Sequence, residues 1–158
     1  MIKKNKILII AEAGVNHNGN LKLAKKLIDI ASNSKADYVK FQTFIAENLV
    51  TKKAAKAKYQ VLNSKNKNET QFQMLKKLEL NTNDYMELKA YSKKKKIKFL
   101  STPFDEDSFD LLKKIGLNLL KISSTDLTNI PFLQYVSKNS SNKMKIILST
   151  GMGTIPEI

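Results

Sequence analysis

The chain has 158 residues, 28 of them basic and 14 acidic, for a formal net charge of +14, and 42% are apolar. Every basic residue is lysine, so the guanidinium forks that read guanine and phosphate bidentately are missing, which argues against a nucleic-acid partner. There is no cysteine, which excludes disulfides and thiolate metal sites. The apolar run Ile7 to Ile10 is too short for a signal-peptide core or a membrane span, and Glu12 follows at once. The expectation is a soluble cytoplasmic protein with no membrane partner, whose basic surface favours anionic small substrates.

Short apolar runs alternate with amphipathic helices along the chain. The first predicted strand is Ile7 to Ala11. Asn18-Gly19-Asn20 then opens a helix with Leu21, Ala24, Leu27, Ile28 and Ala31 at helical spacing. A second strand covers Asp37 to Phe41. The polar connection from Gln42 to Thr70 is too long for a plain linker and reads as an active-site loop or insertion. Helices follow at Gln71 to Leu78 and Asn83 to Lys95, and the Lys93 to Lys96 run reads as a solvated helix end. The third strand is Ile97 to Leu100. The next helix carries Asp105, Glu106 and Asp107 in its first turn and Lys113 and Lys114 in its last, complementing the helix dipole, and Gly116 stops it. Strand four is Leu117 to Ile122, a helix covers Pro131 to Lys138, and strand five is Lys145 to Leu148. Gly151 to Ile158 reads as the start of another helix.

This order predicts an α/β fold with a parallel sheet covered on both faces. Two architectures compete: a five-stranded flavodoxin-like domain, and a (β/α) TIM barrel with only about its first five βα units present.

Each predicted strand is followed by polar residues. Glu12, Asn16 and His17 come after the first, Lys40 and Gln42 end the second, and Ser101-Thr102 end the third. Lys121 and then Ser123, Ser124, Thr125 and Asp126 end the fourth, and Ser149-Thr150-Gly151 the fifth. Parallel-sheet enzymes place their chemistry at this end of the strands. Two lysines with several hydroxyls make an anion pocket suited to a phosphorylated substrate, with Glu12 as the acid-base group beside it. The alternative for Glu12 is a purely structural partner of a lysine. Lys40 and Lys121 lie inside apolar strands, where an unpaired ammonium is costly. No metal ligand is assigned: His17 is the single histidine, lacks a carboxylate cluster in the sequence around it, and is expected to hydrogen-bond its loop or reach substrate.

The stretches Glu12-Ala13-Gly14-Val15-Asn16-His17-Asn18-Gly19, Val39-Lys40-Phe41-Gln42, Phe99-Leu100-Ser101-Thr102-Pro103-Phe104 and Ile147-Leu148-Ser149-Thr150-Gly151-Met152, in that order, resemble the sialic acid synthase family. Lys56-Ala57-Lys58-Tyr59-Gln60 with Phe41-Gln42 looks closest to its diacetyllegionaminate branch. The resemblance implies that residues 1–158 are the N-terminal part of a TIM-barrel synthase domain, followed in the full-length family by a small antifreeze-like domain and assembled as a homodimer. It implies condensation of phosphoenolpyruvate with an N-acyl mannosamine-type sugar to a nine-carbon 2-keto sugar acid, with a divalent metal (Mn or Mg) whose ligands are not in this chain. Lys40, Thr102, Lys121, Ser124 and Ser149 fall on phosphoenolpyruvate-contacting positions. Glu12 falls on the active-site glutamate and Asp126 where the family has a sugar-contacting glutamate, with Asn16, His17 and Gln42 as sugar-side candidates. Thr125 stands where the family usually has glycine, and Asp126 is one methylene shorter than glutamate. A non-catalytic truncated remnant that binds an anion or associates with other chains is the competing reading.

Overall fold

The computed structural model describes residues 7–57, 60–61 and 68–158. Strand β1 (Ile10–Gly14) pairs in parallel with β2 (Tyr38–Thr43), and β2 with β3 (Lys98–Pro103). Strands β4 (Leu119–Ile122) and β5 (Lys145–Leu148) form a second parallel pair, and β4 packs alongside β3. Between them run α1 (Leu21–Asn33), the short α2 (Ala46–Leu49), α3 (Gln71–Leu78), α4 (Thr82–Lys94), α5 (Glu106–Lys114) and α6 (Ile130–Asn139). The flavodoxin-like alternative requires β1 between β2 and β3. Here β1 is bonded to β2 and β2 to β3, so the strands follow chain order and that alternative is excluded.

Side-chain caps start the helices where the sequence suggests. Asn20 Oδ1 accepts from the backbone N–H groups of Lys22 and Leu23 at the head of α1, and Asp105 Oδ1 from that of Ser108 at α5. Thr70 with Gln73 and Asn81 with Asp84 form reciprocal capping boxes on α3 and α4. One face of the sheet carries Val39, Phe41 and Phe99, covered by Ala24, Ile28 and Leu88 from α1 and α4. Phe41 and Phe99 stack with centroids 5.4 Å apart. Beyond them Phe109 and Leu112 of α5 and Phe132 and Val136 of α6 continue the core over Leu120 and Ile122 of β4.

Several boundaries differ from the sequence expectation. The first strand begins at Ile10, not Ile7, and runs on through Glu12 to Gly14. Ile7, Leu8 and Ile9 are exposed; the Ile9 carbonyl accepts from the N–H groups of Asp37 and Tyr38, where β2 begins, and the Asp37 carboxylate accepts from Ile9 N–H. Strands β2 and β3 extend to Thr43 and Pro103, taking in polar residues that periodicity assigned to loops. Strand four is shorter, starting at Leu119. The long connection is not plain loop, since it holds α2, while residues 58–59 and 62–67 of it lie outside the described residues. In place of a helix start, Ile155–Glu157 forms one 3-10 turn.

Candidate active site

The parallel register brings the strand-end residues into rows. Glu12 is the partner of Lys40, and Gln42 of Thr102. Side chains alternate across a strand, so Lys40 and Gln42 leave the face opposite to Val39 and Phe41. Lys40 is almost fully buried and pairs with the Glu12 carboxylate, which is half exposed. Lys40 Nζ also donates to Thr102 Oγ1 at 3.5 Å. A Cβ placed on Gly14 would stand 3.3 Å from Glu12 Oε1 and 3.6 Å from Gln42 Nε2, so Gln42 belongs to the same group. The β1–β2 register shifts between Glu12 and Gly14, which turns the strand end at this point.

Lys121 on β4 joins this group electrostatically. Burial holds its ammonium below the ordinary lysine range, the positive charge of Lys40 adds to that, and Glu12 opposes both. A partly desolvated second lysine beside a buried first one is an anion-binding arrangement waiting for negative charge.

The ends of β4 and β5 form the other wall. Ser123 Oγ accepts from Thr125 Oγ1 at 2.9 Å within the 3-10 turn Ser124–Asp126. Thr125 does not adopt a positive φ, so this turn does not need the glycine usual in the family. Ser149 N–H donates to Ile122 O at 3.1 Å, which carries the β5 end alongside β4. Behind it, a Cβ on Gly153 would fall 2.3 Å from Leu127 Cδ2 and 3.2 Å from Thr150 O, so the loop closes tightly on the turn. A Cβ on Gly151 would stand 3.5 Å from Ser124 Oγ, which places that hydroxyl against the β5 loop. Asp126 is buried. Its Oδ1 accepts from Asn129 Nδ2 at 3.1 Å, its Oδ2 has no partner among the described residues, and burial raises its carboxyl above the usual range.

His17 is not brought to the Lys40 group. Its ring is buried and lies against Phe41, on the helix-facing side of β2, with centroids 6.0 Å apart. Its Nδ1 accepts from Gly19 N–H at 3.1 Å, so it fixes the loop after β1, and burial lowers its basicity against the charge of Asp84. Its Nε2 is buried without a partner among the described residues. Asn16 is exposed on the same loop. Among the described residues no group of three or more His, Asp or Glu side chains stands where it could hold a metal ion.

Sequence reasoning missed the support beneath the site. Tyr85 of α4 is buried and its hydroxyl donates to Gln42 O at 2.8 Å. Burial raises that phenol, which stays a donor. Thr43 and Ser101 share a 2.7 Å hydroxyl bond on the face away from Lys40. Tyr85 shares the buried face of α4 with Leu88, and a tyrosine hydroxyl at such a position was the available signal. No helix among the described residues is long and apolar enough to cross a membrane.

Comparison with known proteins agrees with this geometry. The chain is 56% identical over 153 residues to N,N'-diacetyllegionaminic acid synthase of Campylobacter jejuni, covering 97% of this chain and 45% of that protein. It is 49% identical to the synthase of the same name from Legionella pneumophila, covering 95% and 41%. The crystal structure of N-acetylneuraminic acid (sialic acid) synthetase from Leptospira borgpetersenii in complex with citrate superposes with a TM-score of 0.78 at 35% identity, covering 98% of this chain and 48% of that one. The chain therefore spans less than half the length of these two curated relatives. The model of the NeuB family matches residues 27–158, and the chain belongs to the NeuB family.

Proposed function

We propose that this chain carries the anion-binding half of a sugar-acid synthase that condenses phosphoenolpyruvate with an N-acyl mannosamine-type sugar, in the diacetyllegionaminate branch. The observation that carries the reading is the Lys40, Lys121, Glu12 and Thr102 group at the strand ends. The two ammonium groups neutralise the phosphate and carboxylate of phosphoenolpyruvate, and Thr102, Ser124 and Ser149 donate hydroxyl hydrogen bonds to the remaining oxygens. In the ligand-free arrangement Lys40 is held by Glu12. An arriving anion competes for Lys40 and releases the Glu12 carboxylate to take a proton from the water that adds at the phosphate-bearing carbon. The neighbouring enol carbon bonds to the sugar aldehyde carbon, and phosphate departs by C–O cleavage. Asp126, with its unpaired oxygen, and Gln42 and Asn16 line the sugar side. A divalent metal on the aldehyde would need ligands other than the groups described above.

Sequential parallel pairing and the 0.78 superposition support reading the fold as the first five units of a (β/α) barrel, and residues 1–158 as the front part of that domain. The expected homodimer belongs to the full-length protein. The test is condensation by the full-length gene product, with Mn²⁺ or Mg²⁺, of phosphoenolpyruvate with N-acetylmannosamine or its 2,4-diacetamido analogue. A 2-keto sugar acid with stoichiometric phosphate release supports the proposal; no product with any such sugar overturns it.

A further inference from the structure

The helices on the outer face are unevenly spaced. Helix α4 packs closely on α1, and α5 on α6. Between α4 and α5 a groove of about 890 Å³ opens instead. Thr82, Met86, Lys89, Ala90 and Lys93 line it from α4, which is one helix face at 3.6-residue spacing. Its floor is apolar: Ile97, Phe99, Ile115 and Leu117. Met86, at its upper edge, is 54% exposed.

The rim is cationic. Lys89, Lys93, Lys98 and Lys114 all border the groove, and among the described residues none of them pairs with a carboxylate. The neighbours Lys95 and Lys113, turned away from the groove, do pair, with Asp29 and Asp110. Lys89 donates to the carbonyls of Ile115 and Gly116 and Lys98 lies over the Tyr38 ring, while Lys93 and Lys114 make no such contact.

We propose that this groove docks an acidic amphipathic helix of a partner protein. Helix-in-groove recognition needs an apolar trough and a rim opposite in charge to the helix flanks. Both are present, and the trough runs along the 13 residues of α4, which at 1.5 Å per residue is roughly 20 Å, or about three to four helical turns. Two copies set groove to groove would oppose like-charged rims, so an acidic helix complements the groove better. The groove faces outward between helices, away from the strand-end lysines, so the proposal stands independently of the synthase reading.

The probe is a fluorescein-labelled helical peptide of about 14 residues with leucines at helical spacing and glutamates on both flanks, matched to the groove length. It is titrated by anisotropy into the full-length protein beside a scrambled peptide of the same composition. Expected is saturable binding of the amphipathic peptide alone, weakened at least tenfold by K93E/K114E and by Ala90→Phe, which fills the trough without changing charge. Unchanged thermal melting of both variants shows that they are folded. Equal binding of the scrambled peptide, or no loss in the two variants, overturns the proposal in favour of a non-specific basic surface. Protection of the α4–α5 face from hydrogen exchange in the peptide-free full-length protein overturns it in favour of cover by the protein's own remaining part. Phosphoenolpyruvate turnover unaffected by K93E/K114E keeps this result separate from the fate of the synthase reading.

Discussion

At the scale of single residues, the Glu12–Lys40 pair gives a handle on the two roles that the sequence left open. Were Glu12 only a structural counter-ion, its amide would weaken the protein and leave chemistry intact. If it handles protons, Glu12→Gln removes the base while also removing a competitor for Lys40. The expected result is a kcat loss on the order of 10²–10⁴ with phosphoenolpyruvate affinity equal or tighter, read from steady-state kinetics and calorimetry. Asp126 gives a second residue-scale prediction. Its raised pKa means that the folded state favours the neutral carboxyl. Its stabilising share is therefore complete below the ordinary carboxylate range and is lost as pH rises through the raised value. Asp126→Asn keeps the neutral shape at all pH values. Its melting temperature is expected to match the parent near pH 4 or below and to exceed it at pH 7, with catalytic loss accompanying the gain. No gain at pH 7 refutes the buried-carboxyl argument. Lys40 and Lys121 were legible in the sequence because a lysine inside an apolar strand is an anomaly that demands a partner. Asp126 was legible as a polar residue at a strand end, but its burial was not, since that depends on how the turn folds back.

At the scale of elements, helix starts were legible and strand ends were not. Caps are local: Asn20, Thr70, Asn81 and Asp105 each bond a backbone group within three residues. Strand ends depend on what lies alongside. Glu12 and Gly14 read as loop, yet Lys40 and Phe41 of β2 give them partners. Ile7 to Ile9 read as strand, yet they are exposed, and Ile9 bonds to the chain where β2 begins. The sequence also hid a contact between distant loops. Gly19, at φ +69°, sits so close to α3 that a Cβ there would stand 2.0 Å from the Lys77 carbonyl oxygen. Gly19→Ala must both strain the backbone and push α3 away. It is expected to cost at least about 2 kcal/mol, or a fall of roughly 4–8 °C in Tm, measured by calorimetry. A milder Asn81→Ala, which removes only a cap, should cost about 1 kcal/mol.

At the scale of the whole molecule, alternation of strands and helices was enough for the α/β class, but strand order was not in the pattern. Both competing architectures share the same run of elements; only the bonding of β1 to β2 and β2 to β3 separates them. The charge distribution yields the last prediction. Lys121 is half-buried with a depressed pKa, whereas Lys40 is almost fully buried and ion-paired. Graded acetylation followed by peptide mass spectrometry should modify Lys121 before Lys40, and saturating phosphoenolpyruvate should slow the reaction at Lys121. Equal rates at the two positions would contradict the arrangement described.

The absence of arginine gives that chemistry an unusual reach. All 28 positive side chains end in the same primary amine, so a single acylating metabolite acts on the whole cationic field at once. Complete N-acylation would turn a formal +14 into −14. Because the depth of each amine sets its place in the sequence of reaction, the outer surface would change sign well before the Lys40 ion pair opened. Surface potential and the Glu12–Lys40 pair are thus separable in time under one covalent modification.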